Sequence, residues 1–169
     1  MTPAQLSTTE DLDDLPTASP YLTWWVRGLL LLLAALALTV FALAVYLDPY
    51  RPDGSARDMG THRQLGLPEC TFKHATGLPC PSCGMTTSFS LLMHGDPLNS
   101  LRANWVGTGL ALFCLALIPW ALASVWLKRP LFIVSLEKAM TVAVVGFLVF
   151  MLLRWGIVLL LIWWERHYL

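Results

Sequence analysis

Residues 28–47 read GLLLLLAALALTVFALAVYL, an uncharged run bounded by Arg27 and Asp48. A helix needs about 20 such residues to cross a hydrocarbon core of roughly 30 Å, so this run is read as a membrane span. Trp24 and Trp25 precede it and Tyr46 closes it, where amphipathic rings settle at headgroup depth, and Asp48-Pro49 ends the helix. A cleavable signal peptide is the competing reading, because Ala42-Leu43-Ala44 resembles a small-residue cleavage pattern. Against it, Glu10, Asp11, Asp13 and Asp14 make the preceding segment acidic where a signal is basic, and the apolar run is longer than a signal's core.

Two further runs follow. Residues 103–127 lack charge between Arg102 and Lys128-Arg129-Pro130, with Trp105 and Trp126 at the ends, and Pro119 inside is expected to kink the helix. Residues 139–164 are apolar except for Arg154. The expected architecture is therefore an all-α membrane protein with spans at about 28–47, 103–127 and 139–164. Composition agrees: 56% of the 169 residues are hydrophobic and 13% charged, against roughly 25% charged in soluble domains. Eleven basic and eleven acidic residues cancel, leaving no long-range field to gather nucleic acid, which is excluded as a partner. Residues 1–20, rich in Thr, Ser, Asp and Pro without an apolar period, read as a disordered tail; residues 21–169 form one membrane domain.

Arg154 is the exception inside a span. A guanidinium near the bilayer centre costs several kcal/mol on insertion scales, so it either snorkels to an interface or bonds carbonyls or side chains of the polar loop.

That loop, residues 48–102, holds three of the four cysteines and three of the four histidines. Its centre runs from Cys70 through Thr76-Gly77-Leu78-Pro79-Cys80-Pro81-Ser82-Cys83-Gly84. From Gly84 on, Met85, Phe89, Leu92 and Met93 recur at helical spacing while Thr86, Thr87 and Ser90 point elsewhere. The pattern predicts a short amphipathic helix to His94, closed by Gly95, that lies on the interface or re-enters the membrane. Asp96 is the N-cap of the next helix, with Pro97 at its first position, and that helix is expected to continue through Asn104 into the second span.

Cys80 and Cys83 thus stand at a helix N-terminus, where unpaired amides favour a thiolate. Three readings are open. Cys80 and Cys83 form a redox dithiol, with Cys70 as a third partner for exchange. Alternatively Cys70, Cys80 and Cys83 hold zinc with His74 or His62 as fourth ligand. In the third reading a structural disulfide such as Cys70–Cys80 staples a turn shaped by Gly77, Pro79, Pro81 and Gly84. A c-type haem is excluded because Gly84, not His, follows Cys83. Cys114 reads as a small core residue and His94 as a helix C-cap.

The segment from Cys70 to Asn104 resembles a family of small bacterial membrane proteins catalogued as a domain of unknown function, DUF2752. The matching residues are Cys70, Phe72, Thr76, Gly77, Pro79, Cys80, Pro81, Cys83, Gly84 and Thr86, then Gly95, Asp96 and Asn104. The Arg that commonly follows the Thr in that family is Thr87 here, so Arg102 or Arg154 is a candidate to supply the cation in space. The resemblance implies a bacterial inner-membrane protein with a cysteine-bearing loop and supplies no reaction.

Three spans put residues 128–138 on the side of the N-terminus, and the cysteine loop with the C-terminus on the other. Lys128, Arg129 and Lys138 are concentrated in that short loop, which carries most weight in the positive-inside rule and favours an inside N-terminus; total basic counts, four against six, oppose it. The function expected from sequence is a structural or accessory module working with a membrane-protein partner or a second copy. A thiol-disulfide relay with Cys80 attacking and Cys83 resolving is the alternative, and a zinc site the second.

Overall fold

The computed structural model describes residues 22–129 and 136–168. The tail expected at 1–20 and most of the short loop after the second span lie outside them. Five α-helices occur among the described residues: α1 (Trp24–Tyr46), α2 (Thr71–Thr76), α3 (Met85–Met93), α4 (Pro97–Leu127) and α5 (Leu136–Tyr168), with a 3-10 helix at Thr61–Leu65. Trp24–Tyr46, Pro97–Leu127 and Glu137–Tyr168 are each long and apolar enough to cross a membrane. The chain is an all-α membrane protein.

The start of α1 lies beside the end of α4, where the Leu22 amide donates to the Lys128 carbonyl at 2.7 Å, so the two helices run antiparallel. Small residues let them approach: Ala34 and Ala121 are buried with Leu30 at one end, and Ala44 and Ala111 with Phe41 and Phe89 at the other. Cys114 packs partly buried against the latter group. The outer faces present Leu32, Leu36, Leu112 and Phe113, which suits lipid. Pro119 does not break α4; the non-helical interior residue is Asn104 (φ −162°, ψ 97°).

Of the two placements expected for the short helix, on the interface or against the spans, α3 packs against spans. Its polar side is buried along with its apolar one: Thr87, Ser88 and Ser90 are fully buried, as is Leu91, and Phe89 is buried in the core, as α3 packs against both α1 and α4. Each hydroxyl there is satisfied. Ser90 donates to the Leu47 carbonyl at 2.7 Å, meeting an acceptor at the end of α1 that the helix itself leaves open. Thr61 donates to Thr87 at 2.8 Å, and Ser88 to the Met85 carbonyl at 2.8 Å. Ser100 of α4 donates to the Ser88 carbonyl at 2.7 Å. A Cβ on Gly107 would overlap the Ser88 hydroxyl, so the α3–α4 approach depends on a glycine. In apolar surroundings such paired hydroxyls between small residues join helices where hydrophobicity cannot.

Gln64 of the 3-10 helix clamps the chain just after α1, its side chain accepting from the Asp48 amide at 3.0 Å and donating to the Asp48 carbonyl at 2.5 Å. At the other end of the loop, Asp96 caps α4 by accepting from the Asn99 amide at 3.2 Å, with Pro97 at the first position.

Candidate functional site

Cys70, Cys80 and Cys83 converge, their sulfurs all within 4.8 Å of one another. Local chemistry explains how residues up to thirteen positions apart meet. Cys70 precedes α2, and Gly77 ends that helix at φ +70°, its amide donating to the Lys73 carbonyl at 2.8 Å. Thr76 bonds the Phe72 carbonyl and accepts from the Leu78 amide, turning the chain back towards Pro79. Cys80-Pro81-Ser82-Cys83 is then a β-turn closed by the Cys83 amide on the Cys80 carbonyl at 3.1 Å, with proline at the position its fixed φ suits.

Gly84 finishes the turn at φ +86°. A Cβ there would lie 2.6 Å from the Ala103 carbonyl oxygen and 3.0 Å from that of Asp58. Gly84 is required both by conformation and by space.

The cysteines are unbridged thiols in this structure. Cys80 and Cys83 sulfurs lie 2.9 Å apart, the Cys80 amide donates to the Cys83 sulfur at 3.2 Å, and Ser82 Oγ lies 3.3 Å from the Cys80 sulfur. The two thiols are unlike. Burial acts to raise Cys80, but hydrogen bonds at its sulfur from Cys83, Ser82 and Cys70 outweigh it and hold the thiol below its ordinary pKa. Burial, reinforced by Cys80, pushes Cys83 up to about 12. Three thiolates so placed are also a donor set for a metal ion. His74 does not join them; it sits exposed on α2. His62 lines the cavity that opens beside the cysteines.

Two residues of α5 reach this region. The Trp155 indole donates to the Pro79 carbonyl at 2.9 Å, and Phe72 packs edge-on against the Trp155 ring. Arg154 donates at 2.9 Å to the Ala103 carbonyl, the same carbonyl that crowds Gly84 beside Cys83. Arg102 instead bonds Asn99 on the surface, and Thr87 is held by Thr61. Of the two arginines that could take the place left by Thr87, Arg154 is the one beside the cysteines.

Ala103 can accept this bond because of its neighbour. In an unbroken helix the Gly107 amide would take the Ala103 carbonyl. Here the Asn104 side chain accepts from Gly107 at 3.0 Å, as an N-cap does three residues before the amide it satisfies. Its amide group meanwhile donates to the Cys83 carbonyl at 3.2 Å. The expected continuous passage into the second span is thus a capped break, and the carbonyl it frees receives Arg154. Asparagine's preference for N-caps was the available signal, masked by the apolar residues after it.

Thr86 lines the cavity with the cysteines. His94 stands at the end of α3 with Nδ1 2.8 Å from the Ser90 carbonyl. Sequence reasoning missed Trp155, Thr61 and Gln64, whose partners are up to 76 residues away; only the glycines flanking Thr61–Leu65, both at positive φ, marked that segment.

Residues 70–118 match the family model described as "Protein of unknown function (DUF2752)", the family that the cysteine motif resembles. The match covers the cluster, α3 and most of α4. No curated protein and no solved structure matches the chain.

Proposed function

We propose that this membrane protein is a thiol-disulfide exchange module, with Cys80 and Cys83 as the redox pair. The observation that carries the reading is the pair itself: sulfurs 2.9 Å apart on one tight turn, one thiol more acidic than usual and the other less. The more acidic member supplies a larger share of thiolate than an ordinary cysteine, and thiolate is the nucleophile that exchange requires. Cys80 thiolate attacks a disulfide of a partner, forming a mixed disulfide and releasing one partner sulfur, which takes a proton. Cys83 gives up its proton and attacks the Cys80 sulfur, closing the Cys80–Cys83 disulfide and releasing the second partner thiol. Two electrons pass from the protein to the partner; run backwards, the same steps oxidise a partner dithiol. Cys70 is within reach as a third thiol.

The module serves a membrane-protein partner and lies in a bacterial inner membrane with the cysteine loop on the outer face, the side that the basic short loop at 128–138 favours and where disulfides persist. Metal binding is the second reading, supported by the mutual approach of all three sulfurs. A membrane-impermeant maleimide applied to intact cells before and after reduction, with metal analysis of the purified protein, separates the two. Labelling of Cys80 and Cys83 only after reduction is the expected result. Stoichiometric zinc with no disulfide would replace the exchange reading by the metal one.

A further inference from the structure

A cavity of about 690 Å³ lies directly beside the cysteines, within the roughly 300–1,000 Å³ of small-molecule sites. At its loop end the wall includes Cys80, Cys83, His62 and Lys73; at its other end it includes Ala37 and Val40 of α1 and Leu110 of α4. Val40 is 47% exposed on the outer face of α1, so the apolar end borders lipid. The space is amphiphilic along its length: thiols and donors at the loop end, hydrocarbon walls at the end between α1 and α4.

Resting on the exchange reading, we propose that this cavity binds an isoprenoid quinone, its ring against Cys80 and Cys83 and its chain between α1 and α4, and that the quinone reoxidises the dithiol. The balance is complete. Cys80 and Cys83 lose two protons and two electrons as the S–S bond forms, and the two quinone oxygens take them to give the quinol. A two-electron, two-proton acceptor dissolved in lipid is what a dithiol facing an apolar membrane cavity can use. His62 and Lys73, the latter donating to the Met59 sulfur at 3.2 Å, bring donors to the loop end of the cavity, where the quinone oxygens would lie. A phospholipid fits less well: Arg63, also on the wall, is engaged by Glu69 at 2.6 Å, and a phosphate would leave the thiols without a role.

The test uses the full-length protein in liposomes, reduced and freed of reductant, with a short-chain ubiquinone followed by its ultraviolet absorbance. The expected result is one quinol per protein with loss of the Cys80 and Cys83 thiols. Ala37→Trp should slow the reaction by about tenfold or more, whereas Leu32→Trp, on the lipid face away from the cavity, should not. If Ala37→Trp does not fold, Val40→Trp takes its place. Oxidised glutathione is the parallel oxidant for the wild type. Disulfide formation with glutathione but none with quinone overturns the quinone site and leaves exchange standing; disulfide formation with neither removes both. Quinone reduction unaffected by the cavity variant, or slowed equally by Leu32→Trp, also overturns the site. So does protection of Cys80 from maleimide by phospholipid but not by quinone.

Discussion

Asn104 donates a hydrogen bond to the carbonyl of Cys83, twenty-one residues earlier, while its own side-chain oxygen holds the Gly107 amide. One fully buried side chain therefore caps the second half of α4 and fixes the last residue of the cysteine turn. Asn104→Leu leaves both groups unpaired and should cost roughly 1–3 kcal/mol. Asn104→Ser keeps a cap acceptor and loses only the reach to Cys83, so it should cost less. Reversible unfolding in mixed detergent micelles measures both; equal stability of wild type and the Leu variant would show that the break in α4 is held by other contacts.

Gly84 and Gly77 both have positive φ, but only Gly84 also faces backbone oxygens. Gly77→Ala should cost about 1–2 kcal/mol for the left-handed conformation alone. In Gly84→Ala an overpacking cost of about 1–3 kcal/mol adds to that, because the Ala103 carbonyl is backbone and cannot swing aside. Folded yield and thermal unfolding should rank wild type, Gly77→Ala and Gly84→Ala in that order.

The unequal thiols predict a pH dependence. Alkylation needs thiolate, so its rate rises with pH and levels off above the pKa of the reacting group. With Cys80 held below the ordinary range and Cys83 pushed up to about 12, iodoacetamide near neutral pH should modify Cys80 first. Its rate should level off at lower pH than that of an unperturbed cysteine peptide. Mass spectrometry of peptides from Cys80→Ser and Cys83→Ser checks the assignment: the Cys83→Ser variant should retain the faster-reacting site.

Arg154→Leu should make insertion of α5 easier, since it removes a charge from a span, yet loosen the loop by leaving the Ala103 carbonyl without its partner. Limited proteolysis at Arg57 or Arg63 should accelerate in this variant, and in Trp155→Phe, which loses the bond to Pro79 worth about 1 kcal/mol. Unchanged protection in both would mean that α5 does not steady the cysteine turn.

The spans were legible because an apolar run of membrane length, uncharged or, in the third, broken only by Arg154, matches the hydrocarbon core and would be too long for an ordinary buried helix. The end of α3 was legible because Gly95 and Asp96-Pro97 punctuate it locally. The meeting of Cys80 with Cys83 followed from their spacing on one turn. The burial of the polar side of α3 was not legible: helical periodicity separates Met85 and Phe89 from Thr87 and Ser90, but that the latter face protein as well depends on the hydroxyl partners that α1, α4 and the loop provide. Trp155 and Arg154 illustrate the same limit, since one helix offers two consecutive residues to carbonyls that become its partners only through the turn at Pro79 and the break at Asn104.

The seating of α3 against α4 also orders assembly. The Ser90 and Thr87 hydroxyls have their partners in segments made earlier, the end of α1 and the loop, whereas the face of α3 that meets Ser100 and the Gly107 notch belongs with α4, which follows it. During synthesis α3 emerges before α4, so it has no finished seat when it first reaches the bilayer. Its docking must follow the insertion of α4, and the cysteine turn, tied to Asn104, reaches its final geometry only then. The reactive sulfurs are thus brought together late, after the membrane spans that flank them are in place.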